Sequence, residues 1–372
     1  RGGRRPLGRC EDRNTRVSDA PPHSPLIAAA VEDLDPAWFA FVMATGILGV
    51  AAQTAGIRSA ALAAALVSAP TYGILGTLML LRVLRHARAV IRDLAGPRSA
   101  GFAAVVAATC VLGAQADLAG APAAARALWL AGAGLWCTVT FALLAVSVRR
   151  GRQGGLGTSP GGAPLLLVVA TQAVVVLSTL TAASGRPAPQ PAAPLAFGLG
   201  LFVLGGVLYG ALIVPVARRL RDVRTRPREF APSYWITMGA LAISTLAAGL
   251  LTGGAEHSAT LHSLAPALDA GAVLCWIAAT AWIPILAGRT IRWYAACRGR
   301  RLPMPEYWAL VFPLGMYAAA TRGVATAAGI PAIAALPPIF VGAGIAAWLL
   351  GMADLLRGAG ERIGGRPTGS AA

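Results

Sequence analysis

Few residues in this chain are equipped for chemistry, and their positions narrow what that chemistry is. Small and hydroxyl-bearing residues recur in the middles of apolar blocks: Thr45, Gly46 and Gly49, then Thr109 and Gly113, then Thr171, Gln172, Ser178 and Thr179, then Thr237, Gly239, Ser244 and Thr245, and Gly315. Ionisable residues avoid those middles. Asp35, Asp117, Glu256, Asp269 and Asp354 stand at or near block ends, and the four histidines (His23, His86, His257, His262) fall in connections or in the N-terminal segment. No nucleophile has a base at a useful spacing, so no enzymatic reaction is expected. The five cysteines, Cys10, Cys110, Cys137, Cys275 and Cys297, form no C-x-x-C pair, so neither a metal, nor another cofactor, nor a disulfide framework is expected. A chain of buried carboxylates for proton relay is also missing from the pattern.

Uncharged hydroxyls, amides and helix N–H groups stabilise a negative charge. Thr45, Gly46, Thr109, Gly113, Thr171, Gln172, Ser178, Thr237, Ser244 and Gly315 are therefore candidates for the wall of an anion path. The competing reading is that Ser and Thr in apolar helices satisfy their own backbone. Gln172 needs a partner under either reading, because an amide in lipid does.

A second motif is Trp308–Thr321, W-A-L-V-F-P-L-G-M-Y-A-A-A-T. Pro313 removes a backbone donor and kinks the helix. On a straight helix Trp308, Phe312, Gly315 and Ala319 share one face. Arg322 falls on the same broad side about 15 Å beyond Phe312, at 1.5 Å per residue. Phe312 is then a plug below an anion-attracting vestibule marked by Arg322, or else a core wedge with Arg322 as an interfacial anchor.

The elements that position these residues follow from composition. The 372-residue chain is 56% hydrophobic and 13% charged, against about 25% charged in soluble domains. The apolar residues fall into ten blocks long enough to cross a bilayer: 36–55, 60–81, 100–118, 124–148, 163–183, 194–216, 233–251, 265–287, 307–327 and 330–350. All 32 basic residues are arginine. With the N-terminus placed in the cytoplasm, 28 of them lie on the cytoplasmic side and four (Arg58, Arg126, Arg186, Arg322) on the other. The positive-inside rule gives such a bias only for the correct number of spans. The expectation is ten spans with both termini cytoplasmic, flanked by disordered tails at 1–30 and 356–372. Net charge +17 does not point to nucleic acid, because the cations sit between apolar blocks and form no basic face. The partners expected are the lipid bilayer and small anions.

Three stretches carry a family resemblance: D-P-A-W-F-A-F-V-M-A-T-G-I-L (35–48), P-S-Y-W-I-T-M-G-A-L-A-I-S-T-L-A (232–247) and Y-W-A-L-V-F-P-L-G-M-Y (307–317). They resemble the first, seventh and ninth helices of the tellurite-resistance/dicarboxylate transporter family, which includes plant slow-type anion channels and yeast malate and sulfite transporters. The resemblance implies an all-α integral membrane fold of ten transmembrane helices, arranged as five helical hairpins around a central pore, odd helices inside and even helices outside. It implies a plasma-membrane homotrimer with a pore in each protomer. It also implies anions such as malate or inorganic oxyanions as cargo, and Phe312 as the residue that occludes the pore. No motif separates a channel from a secondary carrier of C4-dicarboxylate, sulfite or tellurite-related species.

Overall fold

The computed structural model describes residues 30–150, 156, 159–184, 192–222, 230–297 and 304–363. The expected N-terminal tail lies, except for its last residue, outside the described residues. Among the described residues the chain is all-helical, with no strand.

Ten long helices account for it. They are α1 Phe39–Thr54, α2 Arg58–Arg85, α3 Gly101–Leu118, α4 Pro122–Arg150, α5 Leu166–Ser184, α6 Ala192–Asp222, α7 Ile236–Gly253, α8 Ala259–Cys297, α9 Met304–Ala328 and α10 Leu336–Ile363. Short helices at Ala87–Leu94 and Pro331–Ala334 lie in the connections. Local sequence explains the starts. Asp35 caps the turn Pro36–Trp38 ahead of α1, its carboxylate accepting from the Ala37 N–H at 2.8 Å. Similar tight turns, Ala163–Leu165 and Pro232–Trp235, lead into α5 and α7, with a proline in the first two positions of each. Proline suits that place because its missing N–H has no helical acceptor there. Between α9 and α10, Gly329 takes φ +64°, which glycine adopts without steric cost. With Pro331 following, α10 starts at Leu336, six residues later than the block read from sequence, and runs to Ile363, across the expected tail boundary at 355.

Nine of these helices are long and apolar enough to cross a membrane. The tenth, α9, is not among the nine; Trp308, Pro313, Tyr317 and Arg322 lower its hydropathy. Burial divides the nine into two classes. In α1, α3, α5 and α7, with their entry turns, 72–89% of the most apolar stretch is buried; in α2, α4, α6, α8 and α10 the share is 11–22%. The second class faces outward with exposed Leu, Ile and Val, as a lipid-facing surface does. The first class packs in a closed circuit with α9: α1 on α3, α3 on α5, α5 on α7, α7 on α9, and α9 back on α1. Each member also packs against the helix that follows it in sequence.

Candidate functional site

Among the described residues the ring of five buried helices lines two cavities, both partly open. One, of about 380 Å³, is lined by Asp35, Arg98 and Ser233 together with Met43, Ala104, Leu166, Ile236 and Ala309. The other, of about 180 Å³, is lined by apolar residues of the same five helices, among them Val50, Val111, Val176, Leu246, Met316 and Ala319, with Thr54 its one hydroxyl among the described residues. Between them lies a waist. On α9 the first cavity ends at Ala309 and the second begins at Met316, roughly 10 Å apart at 1.5 Å per residue. The corresponding stretches, 44–46, 105–109, 167–172, 237–242 and 310–315, are buried throughout except for the half-buried Leu310 and Leu314.

Phe312 sits in this waist and is fully buried. Its neighbour across the ring wall is Gly239 of α7, where a Cβ would lie 3.4 Å from Phe312 Cε1 and 3.0 Å from Pro313 Cγ. Glycine at 239 thus lets the Phe312–Pro313 unit approach the α7 backbone. Gly315 faces α1, where a Cβ would meet Ile47 Cγ2 at 3.0 Å. The residues that continue from Phe312 into the apolar cavity are Met316 and Ala319. Arg322 is exposed and lines neither cavity.

The hydroxyls expected on the path wall are placed elsewhere. Thr45 accepts from Trp348 Nε1 of α10 at 2.8 Å, and Thr171 from Trp136 Nε1 of α4 at 2.9 Å. Ser178 accepts from Trp129 Nε1 of α4 at 2.7 Å, and Thr109 bonds the Tyr72 hydroxyl of α2 at 2.7 Å. Gln172 donates to the Phe202 carbonyl of α6 at 3.3 Å and fits only because residue 205 is glycine. Thr237 and Ser244 donate to the carbonyls of Tyr234 and Ala240 on their own chain segment. Gly46 and Gly113 are contact points, the first against Val111 and Gln115 of α3, the second against Leu177 of α5 and Leu128 of α4. None of these residues lines either cavity. For Thr45, Thr171 and Ser178 the physical reason is that an indole N–H turned inward from a lipid-facing helix needs an acceptor, and these hydroxyls are within reach; Thr237 and Ser244 satisfy backbone carbonyls of their own segment instead.

The charged cavity has a supporting network that the sequence pattern did not disclose. Arg82, expected as an aqueous topology signal, is 1% exposed. It reaches the Glu32 carbonyl at 2.9 Å and Asp93 Oδ2 at 2.5 Å. Arg98 contacts Asp35 at 3.5 Å and the same Asp93 oxygen at 3.6 Å.

Comparison with known proteins decides the family. The profile described as voltage-dependent anion channel matches residues 33–356, which is most of the chain. The protein belongs to the voltage-dependent anion channel family. Two membrane proteins from strains of Mycobacterium tuberculosis, both described as uncharacterized, are 30% identical to it over 158 residues, covering 42% of this chain and 79% of each relative. As a family of channels and transporters rather than enzymes, the voltage-dependent anion channel family places this chain in anion transport across a membrane.

Proposed function

We propose that the protein passes small anions through the ring of α1, α3, α5, α7 and α9, with Phe312 as its gate. In this reading the chain crosses the plasma membrane ten times, as five hairpins around a pore, with both termini cytoplasmic. The charged cavity is then the cytoplasmic mouth. Each protomer of a homotrimer carries its own pore, and the cargo is a small dicarboxylate such as malate or an inorganic oxyanion.

One observation carries the proposal: two cavities lined by the same five helices are separated by a waist that holds Phe312. A scaffold with no transport role has no reason to keep paired voids at both ends of its best-packed helices, since voids forfeit contacts. Removing the ring of Phe312 opens the waist and joins the cavities. Phe312→Ala is expected to raise anion conductance in planar bilayers by at least about ten-fold, equivalent to lowering a barrier by about 1.4 kcal/mol. Unchanged currents from a folded variant would sink the gate. Saturable, ion-coupled uptake into liposomes without unitary currents would replace the channel by a carrier.

A further inference from the structure

We infer that the charged cavity holds a carboxylate- or oxyanion-binding subsite in which Arg98 is the ligand-binding cation and Asp35 is a built-in competitor for it. The inference rests on the anion-passing reading and assigns the subsite's chemistry.

Arg98 is the starting point. Its side chain is 43% exposed and lines the cavity. Its only partners among the described residues are two carboxylate contacts, 3.5 Å from Asp35 and 3.6 Å from Asp93. Both are ion-pair distances, longer than a good guanidinium–carboxylate hydrogen bond of about 2.7–2.9 Å. Asp93 is already engaged at 2.5 Å by the buried Arg82, which is itself tied to the Glu32 carbonyl. That division of labour fixes Arg82 as the structural cation. It leaves the Arg98 fork, with five donors in a plane, without a close acceptor on the cavity side.

The same wall carries a buried hydroxyl and three helix entries. Ser233 is 4% exposed, and its hydroxyl has no hydrogen-bond partner among the described residues and is turned toward Gly161, where a Cβ would lie 2.4 Å from Oγ. Ser233 sits in the entry turn of α7, and the wall also includes Ala37 and Ala163 in the entry turns before α1 and α5. Helix N-termini turned toward one space favour negative charge there. The volume of about 380 Å³ far exceeds the roughly 10–15 Å³ needed for one water, so a small organic anion enters with part of its hydration.

Asp35 works against the ligand. It is the one carboxylate lining the cavity among the described residues, and its Oδ2 faces Arg98 while Oδ1 caps the turn before α1. An anion that takes Arg98 bidentately must displace this contact. Planar or tetrahedral anions with paired oxygens match the guanidinium fork; a halide does not.

The test is ligand-dependent thermal stabilisation of the full-length protein in detergent, with malate and sulfate as probes and chloride as control. Ligand that binds the native state raises the melting temperature according to its affinity. The wild type is expected to be stabilised by malate, sulfate or both more than by chloride at equal ionic strength. Arg98→Gln is expected to weaken that binding at least about ten-fold. Asp35→Asn keeps a good N-cap and removes the competing charge, so binding should tighten about two- to five-fold. Ser233→Ala, whose lost hydroxyl is turned toward Gly161, should leave it unchanged, and its unliganded melting temperature serves as the folding control. The inference is overturned if neither probe stabilises the wild type beyond chloride, or if Arg98→Gln binds as tightly as the wild type. Because binding is read without flux, a silent Phe312→Ala channel with these shifts intact would defeat conduction and leave the subsite standing.

Discussion

The two cavities of the ring share five helices and almost nothing else. At the Asp35 end the wall is built from helix starts, with tight turns, prolines, a carboxylate, a guanidinium and an unpaired hydroxyl. At the Thr54 end it is built from mid and late helix positions carrying Val, Leu, Ile and Met. Helix starts leave N–H groups unsatisfied and collect polar residues to serve them. Later turns have their backbone bonds made and select for packing alone. The contrast therefore comes from where along each helix the ring is being lined. On the proposed path it gives an anion an attractive entry at one end and a desolvating, unrewarding passage at the other.

The strongest way to break this contrast is to remove what separates the two regions. Phe312→Ala joins them, with the conductance gain given above. Deleting a fully buried phenyl also leaves a cavity, so stability is expected to fall by about 3–5 kcal/mol, measurable as a loss of thermal stability in detergent. The opposite change closes the waist further. Gly239→Ala sets a Cβ 3.0 Å from Pro313 Cγ and 3.4 Å from Phe312 Cε1. Overpacking of this kind costs about 1–3 kcal/mol. Combined with Phe312→Ala, only the part of that loss carried by the phenyl contact should vanish, because the closest approach is to Pro313. Additive losses in the double variant would mean that Phe312 does not bear on α7.

A smaller change sharpens the contrast from the apolar side. Val176→Thr exchanges a methyl for a hydroxyl at nearly constant shape in the apolar cavity. If the barrier there is desolvation, conductance in the Phe312→Ala background should rise about two- to five-fold, in line with one added hydrogen bond of about 0.5–1 kcal/mol. No change would place the dominant barrier elsewhere.

Much of the ring was legible in advance. The apolar blocks located the nine helices long and apolar enough to cross a membrane, and the blocks carrying the small and hydroxyl residues are the buried ones. Phe312 stood out because a bulky ring beside a proline is unusual, and it does lie in the waist. What stayed hidden was the direction in which hydroxyls point. A helix middle rich in Thr and Ser has as many outward as inward faces, and composition does not choose between them. A usable signal was nonetheless present. Trp129 and Trp136 on α4 are seven residues apart, as are Thr171 and Ser178 on α5, and the antiparallel pairing joins them in register. Likewise Trp276 and Thr280 of α8 meet Thr321 and Tyr317 of α9, again at matched spacing. Matched spacings on consecutive helices betray a seam between them. The Arg82–Asp93–Arg98–Asp35 cluster was hidden for another reason. It joins residues from the α2 end, the 87–94 helix and the segments leading into α1 and α3, a convergence that only the packed chain creates.

The seams supply the mildest test, and it bears on whether the apolar stretch is as bare as its lining implies. Thr171 lies at the level of the waist on α5, but its Oγ1 accepts from Trp136 and donates to the Leu167 carbonyl. Thr171→Val keeps the shape and removes the acceptor, leaving the Trp136 N–H buried and unpaired. Interhelical hydrogen bonds in membranes average only about 0.6 kcal/mol in double-mutant cycles, so the expected loss is about that size. Trp136→Phe should lose a similar amount, and the pair of changes little more than either alone. Anion conductance in the Phe312→Ala background should not move. A change in permeation from Thr171→Val would mean that a hydroxyl turned toward α4 also serves the path, and the division between a charged end and an apolar one would no longer account for how the anion crosses.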